Sequence, residues 1–253
     1  LGAEKFLNIK CRKAKIQPSC VVLVATIRAL KMHGGLEKDD LKKENLESLK
    51  KGFPNLERHV QNIKQFGLQI IVAINHFVTD TDKEIQAVKE YCSKLGVKAS
   101  LCKHWADGGN GAKDLASNVI DLCKKNKKES FKNLYSDETP ILEKIEKIAK
   151  NIYKAKSVEV DEKIKEQIKN IEDAGFKKFP VCIAKTQYSF STDPKLKGAP
   201  SDHILQVREV RLSSGAEFIV VVCGSIMTMP GLPRTPAADS IKINNKGEIE
   251  GLF

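Results

Sequence analysis

Three short apolar runs, each followed by a helix-type pattern, constrain the fold of this 253-residue chain more than any other feature. They cover residues 20–26 (CVVLVAT), 68–74 (LQIIVAI) and 97–102 (VKASLC), and all are too short to span a membrane. The first run has no polar alternation until its end, so we expect its strand to be buried on both faces, and the second run also reads as a buried strand. Repeated strand–helix units of this kind predict an α/β fold, with a parallel sheet, flanking helices and right-handed crossovers.

The segments between these runs carry apolar residues at helical spacing. They predict helices over residues 56–66, 82–95 and 112–123. Asn55 is the expected cap of the first helix, and Asp80 or Asp82 is the expected cap of the second.

The second half of the chain has a different pattern. Residues 138–173 are rich in Lys and Glu and have the periodicity of helices, whereas strand-type runs follow Pro180. We therefore predict two domains. Residues 1–135 form the parallel α/β domain, and residues 136–253 form a helical connection and a smaller, mostly antiparallel α+β domain.

The net charge of +11 raises the question of a nucleic-acid partner. Only 6% of the residues are aromatic, and no stretch interleaves aromatic residues with Arg as single-strand binders do. A small polyanionic substrate would use the same positive field. We therefore expect neither a nucleic-acid nor a membrane partner, and a basic nucleic-acid binder remains an alternative that salt-sensitive oligonucleotide binding would reveal.

The cysteines and the first residues of the chain indicate the cellular compartment and the processing that we expect. The seven cysteines include no CxxC pair, which argues against a structural zinc site and favours reduced thiols in a cytoplasmic protein. The first residues, LGAEKFLNIKC, contain neither an initiator Met nor a secretory signal. We expect a processed, trimmed or partial chain.

Candidate binding residues gather where the three predicted strands end, which is where ligands bind in open parallel sheets. Arg28, Lys31 and His33 follow the first strand, and such basic groups can face an anionic ligand. The second strand ends at Asn75, His76 and Phe77, and the third delivers Lys103, His104, Trp105 and the glycines of DGGNG. No phosphate-loop, GxSxG or HExxH motif occurs, so these residues predict a binding cleft without a complete catalytic apparatus.

Phe77 and Trp105, at the ends of neighbouring strands, could hold a flat heterocycle between them. Each aromatic ring of such a clamp contributes roughly 1–3 kcal/mol. Ordinary explanations stand beside this one. Phe77 could pack in the core, Trp105 could anchor it, and Arg28 and Lys31 could lie on a solvated helix turn.

Several segments together resemble one enzyme family. The stretch VATIRALKMHGG at 24–35 is similar to a signature segment of formate–tetrahydrofolate ligase, also called 10-formyltetrahydrofolate synthetase. Five other segments are similar to the same family and occur in the same order along the chain. They are LGAEKFLNIKCR, VAINHFVTDTDKEI, HWADGGNGA, VCIAKTQYSFSTDPKLKGAP and MTMPGLPRTPAA. The resemblance spans essentially the whole chain, but covers only the carboxyl-terminal half of family members.

The resemblance implies a reaction and its participants. The family joins formate to tetrahydrofolate with ATP, through formyl phosphate, giving 10-formyltetrahydrofolate, ADP and phosphate. It also implies a P-loop-NTPase-like fold whose phosphate-loop half is absent here, a cytoplasmic homotetramer, and Mg and a monovalent cation with ligands outside this chain. A fragment of this kind is expected to be inactive alone. The alternative is a non-catalytic folate-binding or regulatory module.

By the same resemblance, the pteridine ring of the folate lies between Phe77 and Trp105. The other substrate-binding residues implied are Leu101, Asn75, Gly108 and Gly109, and the MPGLP loop at 229–233 is similar to a family loop near the active site. Glu217 stands where the family usually has a glycine, so we expect a local difference in that turn.

Overall fold

The first half of the chain forms a parallel three-stranded sheet. The structure, a computed structural model, describes residues 2–125, 131–226 and 234–251. Strands β1 (Val21–Ala25), β2 (Ile70–Asn75) and β3 (Lys98–Cys102) lie in the order β1-β2-β3, and both pairings are parallel. This arrangement confirms the parallel α/β organisation expected from the alternating pattern.

Helices flank this sheet and connect it to the second half. In chain order they are α1 (Gly2–Lys5), α2 (Arg12–Ala14), α3 (Ile27–His33), α4 (Leu46–Lys64), α5 (Asp82–Lys94), α6 (His104–Asp107), α7 (Lys113–Lys125), α8 (Ile141–Asn151) and α9 (Glu162–Ile171). The π-helical segment Phe6–Cys11 joins α1 to α2, and the 3-10 segment Gly108–Ala112 joins α6 to α7. None of the helices in the described residues combines the length and apolar composition that a membrane span requires.

The second half carries a smaller, mixed sheet and a hairpin. Strands β4 (Ser157–Glu159), β5 (Val181–Ala184), β6 (Ile204–Ser213) and β7 (Phe218–Cys223) lie in the order β4-β6-β7-β5, and β8 (Lys242–Ile243) pairs with β9 (Ile249–Glu250). The β6–β7 pairing and the hairpin are antiparallel, as predicted. The pairings of β4 with β6 and of β5 with β7 are parallel, a distinction that residue patterns within single strands do not carry.

The predicted start of α4 was wrong, and so were the predicted caps of α4 and α5, whereas α5 begins at Asp82 as predicted. Helix α4 begins ten residues before the predicted start at Leu56, and its cap is Asn45, whose side chain accepts a hydrogen bond from the Ser48 amide at 2.8 Å. Pro54 lies inside this helix, where its missing N–H costs one bond that the buried apolar face outweighs. Helix α5 is capped by neither predicted aspartate but by Thr81, which forms a capping box with Glu84.

Strand β1 is not buried on both faces, contrary to the prediction. Among the described residues it pairs only with β2, and the side chains of Val22 and Val24 are 39% and 63% exposed. Strand β2, by contrast, is buried over Ile70–Ile74. The apolar composition of β1 is that of an interior strand. Yet nothing among the described residues covers the side of β1 that carries Val22 and Val24, which we call the flank of β1.

Helices α3 and α4 cross closely at two glycines. A Cβ on Gly34 would lie 1.8 Å from the Ser48 carbonyl oxygen, and one on Gly52 would lie 1.9 Å from the Leu30 carbonyl oxygen. Gly35 then turns the chain at a φ of +93°. The two adjacent glycines after α3 therefore serve packing and a turn, respectively.

Side chains from both halves share one apolar core. Residues as distant as Val60, Ile145, Ile183 and Val221 belong to the same buried cluster. Arg12 donates a hydrogen bond to the Tyr135 carbonyl at 2.7 Å and forms an ion pair with Asp137. The division at residue 135 therefore stays a prediction about domain organisation.

Glu217 has a backbone conformation that glycine usually adopts, and the expected local difference in its turn stays a prediction. Its φ of +55° lies in the left-handed region, directly before β7. A glycine adopts this conformation without the steric cost that Cβ imposes. The carboxylate of Glu217 forms an ion pair with Lys13.

Candidate binding site at the edge of the sheet

The parallel pairing of β2 and β3 brings Phe77 and Trp105 to one edge of the sheet. The His76 amide donates to the Cys102 carbonyl at 3.1 Å, which extends the β2–β3 ladder beyond the end of β2. Trp105, in α6, then donates its indole N–H to the His76 carbonyl at 2.9 Å. This hydrogen bond ties the indole to the residue that precedes Phe77.

The Trp105 side chain is 57% exposed, so it is not the core anchor that a lone tryptophan usually is. Phe77 is half-buried, and within the described residues neither ring stacks on another aromatic side chain. Aromatic surface at this edge of the sheet is therefore accessible to a flat ligand.

Phe77 is held from two sides. Its amide donates to the Asp80 carboxylate at 2.9 Å, and the Arg28 guanidinium lies 4.2 Å from its ring centroid. Arg28 also donates to the Thr79 hydroxyl at 3.2 Å. Burial raises the pKa of Asp80, although the hydrogen bond from the Phe77 amide opposes that shift.

Two polar atoms near this cluster are buried without a hydrogen-bond partner among the described residues. They are the Nε of Arg28 and the Oδ1 of Asp80. Buried polar groups are normally paired, so a donor and an acceptor remain available beside Phe77.

The glycine loop after α6 has one position where a side chain cannot fit. A Cβ on Gly111 would lie 2.5 Å from the Lys103 carbonyl carbon, and the Gly111 carbonyl accepts a hydrogen bond from the Lys103 amide at 3.0 Å. Gly108 has a φ of +55°, whereas a Cβ on Gly109 would meet no atom within 4 Å. The sequence analysis named Gly108 and Gly109 as site residues and not Gly111, because a run of glycines does not show which one is crowded.

Asn75 and Leu101 lie beside the aromatic pair in the sheet. Asn75 is opposite Cys102 and Leu101 is opposite Ile74, and both are half-buried. Both lie near the ends of their strands, and their contact with a ligand stays a prediction.

The three basic residues after β1 separate in the structure. Lys31 is fully buried, forms an ion pair with Glu84 at 2.9 Å, and donates to the Lys43 carbonyl at 2.8 Å. His33 accepts a hydrogen bond from the Gly198 amide on Nδ1, and burial lowers its pKa. The expectation that such groups can face an anionic ligand is wrong for Lys31. Of the three, Arg28 lies at the aromatic pair.

A separate apolar cavity of about 370 Å³ lies beside β1. Leu23, Val24, His33, His59 and Phe66 are among its lining residues, and Phe77 and Trp105 are not. The cavity therefore adjoins the uncovered flank of β1 and is separate from the sheet edge that carries Phe77 and Trp105.

The described residues contain no cluster of three or more His, Cys, Asp and Glu side chains that could hold a metal ion. The MPGLP loop at 229–233 lies outside the described residues.

Comparison with known proteins identifies the relatives of this chain. The sequence profile described as formate–tetrahydrofolate ligase matches residues 1–253. The chain is 66% identical over 253 residues to the formate–tetrahydrofolate ligase of Pelagibacter ubique, and 58% identical over 253 residues to that of Ruegeria pomeroyi. Each alignment covers 100% of this chain and 45% of the relative, so the chain spans about half the length of these proteins.

Proposed function

Because the chain belongs to the formate–tetrahydrofolate ligase family, we propose that it forms the folate-binding part of an enzyme that joins formate to tetrahydrofolate. The reaction consumes ATP and gives 10-formyltetrahydrofolate, ADP and phosphate. The observation that carries this proposal is the exposed indole of Trp105. Its N–H donates a hydrogen bond to the carbonyl of His76, the residue that precedes Phe77.

In this proposal the pteridine ring lies between the faces of Trp105 and Phe77. Arg28 covers part of the Phe77 ring and keeps it in place. The remaining residues that we place around the folate are Asn75, Leu101, Gly108 and Gly109. An apolar clamp with a few polar groups at its rim is the usual composition of a small-molecule site.

The chemistry that follows binding depends on the rest of the protein. Formate takes the γ-phosphoryl group of ATP to give formyl phosphate, and an amine nitrogen of the folate then attacks the formyl carbon. Cations that stabilise the phosphate charge carry most of such catalysis. We place the phosphate loop, the magnesium ion and a monovalent cation outside this chain, whose charge of +11 would favour ATP and a polyglutamylated folate.

The uncovered flank of β1 supports a place for that remaining part. Val24 is exposed in a strand of interior composition, and the adjoining apolar cavity has Val24 in its wall. We propose that the part of the protein outside this chain covers this flank. The family resemblance further implies a homotetramer in the cytoplasm.

Two measurements test the proposed function. The complete protein is expected to form ADP from ATP only when formate and tetrahydrofolate are both present, whereas this chain alone forms none. A complete protein that binds folate without forming ADP would instead favour a non-catalytic module. In the complete protein, tetrahydrofolate should quench the part of the tryptophan emission that a Trp105→Phe variant lacks, and an unchanged emission would contradict the clamp.

A further inference from the structure

The thiols of Cys20 and Cys123 lie in contact beside the parallel sheet. Their sulfur atoms are 3.6 Å apart, although the residues are separated by 103 positions in the chain. Cys20 directly precedes β1, and Cys123 lies in the last turn of α7. Each thiol therefore has one partner that the fold, and not chain proximity, supplies.

The other cysteines are placed differently. Cys11, Cys92, Cys102 and Cys223 are buried, and Cys182 is half-buried. Among the described residues, Cys20 and Cys123 are the two cysteines whose sulfur atoms are in contact. Their closeness is thus specific to this pair.

The two thiols differ in access to solvent. Cys123 is exposed, whereas Cys20 is half-buried and burial, with the hydrogen bond to Cys123, raises its pKa to about 11. A small oxidant in solution therefore reaches Cys123 first. Cys20 stays protonated beside it and has the position of a resolving thiol.

We propose that Cys20 and Cys123 are a dithiol site that a hydroperoxide oxidises to a reversible disulfide. The Cys123 thiol first attacks the peroxide, whose O–O bond breaks to give a sulfenic acid and one molecule of alcohol or water. The Cys20 sulfur then attacks the Cys123 sulfur, and its proton leaves with the hydroxyl group as water. A dithiol reductant restores both thiols by exchange.

The geometry needed for this bond is close at hand. A disulfide requires sulfurs about 2.05 Å apart, so the pair must approach by about 1.5 Å from its 3.6 Å separation. Both sulfurs lie at the ends of their elements, Cys20 before β1 and Cys123 in the last turn of α7, so the approach involves element ends and not the middle of the sheet. The product ties the amino end of the exposed edge strand to the helix that follows the Gly108–Ala112 loop.

The complete, reduced protein is the test sample. It is treated with a small molar excess of hydrogen peroxide, digested without reductant, and mapped by mass spectrometry. We expect one peptide pair linked through Cys20 and Cys123, which dithiothreitol separates. A Cys182→Ser variant is the matched control and should form the same linkage.

Single variants separate the two roles. Cys20→Ser should leave Cys123 as a sulfenic acid that dimedone labels, and Cys123→Ser should leave Cys20 reduced. Peroxide treatment that leaves both wild-type thiols free, or that links Cys123 to a second molecule instead, would overturn the proposal. Neither residue lies in the proposed folate clamp, so this result does not depend on the clamp.

Discussion

The guanidinium carbon of Arg28 lies 4.2 Å from the centroid of the Phe77 ring, and its Nη2 donates to the Thr79 hydroxyl at 3.2 Å. A residue at the start of the helix after β1 thereby holds an aromatic ring at the end of β2. The contact joins the signature segment of the chain to the proposed folate clamp. It also leaves the Arg28 Nε buried without a partner among the described residues.

Arg28→Ala should weaken folate binding in the complete enzyme. A cation–π contact contributes about 0.5–2 kcal/mol, so we expect the KM for tetrahydrofolate to rise roughly 3-fold to 30-fold. The KM for ATP should not change, because Arg28 contacts Phe77 of the proposed folate clamp. Steady-state kinetics with each substrate varied in turn measures this. Arg208→Ala, at an exposed arginine of β6, is the control, and an equal rise for both substrates would refute a folate-specific role.

Trp105→Ala should have a larger effect than Arg28→Ala. Loss of one stacked aromatic face removes roughly 1–3 kcal/mol, which is about a 5-fold to 150-fold rise in the folate KM. Trp105→Phe keeps a ring but loses the hydrogen bond to His76, so it should fall between wild type and Trp105→Ala. The KM values for ATP and formate serve as internal controls. A folate KM that stays at the wild-type value in Trp105→Ala would exclude the clamp.

Gly111→Ala and Gly109→Ala form a matched pair in the loop after Trp105. The added methyl group at Gly111 would meet the Lys103 carbonyl carbon at 2.5 Å, whereas the one at Gly109 has no neighbour within 4 Å. We expect Gly111→Ala to lower Tm and raise the folate KM, since the loop must move. Gly109→Ala should leave Tm unchanged. Equal Tm values for the two variants, by calorimetry, would show that the loop absorbs the methyl group freely.

Local patterns predicted most of the parallel sheet and the edge of it at which Phe77 and Trp105 lie. The run at 68–74 became β2, Ile70–Asn75, because apolar β-branched residues specify a buried strand without outside information. The placement of Phe77 and Trp105 followed from a general property of parallel sheets, whose strands end at one edge. Arguments of this kind need only neighbouring residues and the handedness of the chain.

Features that depend on distant partners were not predictable. Lys31 and Arg28 look alike in sequence, yet Lys31 meets Glu84 and the Lys43 carbonyl, which only the fold brings to it. The same holds for Asn55, which donates to the Gly198 carbonyl and caps no helix. The exposure of Val24 has a different origin. The composition of β1 indicates a covered strand, and the described residues supply no cover.

Removing Lys31 alone from the buried Lys31–Glu84 ion pair should destabilise the fold more than removing both charges together. Lys31→Met leaves the Glu84 carboxylate buried and unpaired, which typically costs about 3–5 kcal/mol in the free energy of unfolding. Lys31→Met combined with Glu84→Gln should recover much of that loss, because Gln can keep the capping box with Thr81. Chemical denaturation measures both.

The exposed Lys51–Glu47 pair is the control for this experiment. Its members are i,i+4 neighbours on α4, and Lys51→Met should cost less than about 1 kcal/mol. A loss for Lys31→Met as small as the loss for Lys51→Met would mean that Glu84 finds another partner when the lysine is removed.

His59 should make the folded chain sensitive to acid. It lines the apolar cavity, its ring lies 4.9 Å from that of Phe190, and burial lowers its pKa to about 3. The unfolded chain therefore binds a proton near pH 6.5 that the folded chain does not accept until about pH 3. The contribution of this difference to the free energy of unfolding should be complete above pH 6.5, and it should be lost as the pH falls from 6.5 towards 3. His33 and His203, whose pKa values burial also lowers, add to the same trend.

His59→Phe keeps a ring against Phe190 but cannot take up a proton. Urea unfolding between pH 4 and pH 8 should therefore show a shallower loss of stability below pH 6.5 in this variant than in wild type. His104→Gln, at an exposed histidine, is the control and should keep the wild-type slope. A His59→Phe slope that matches wild type would assign the acid sensitivity to other groups, because a side chain that never charges cannot contribute proton linkage.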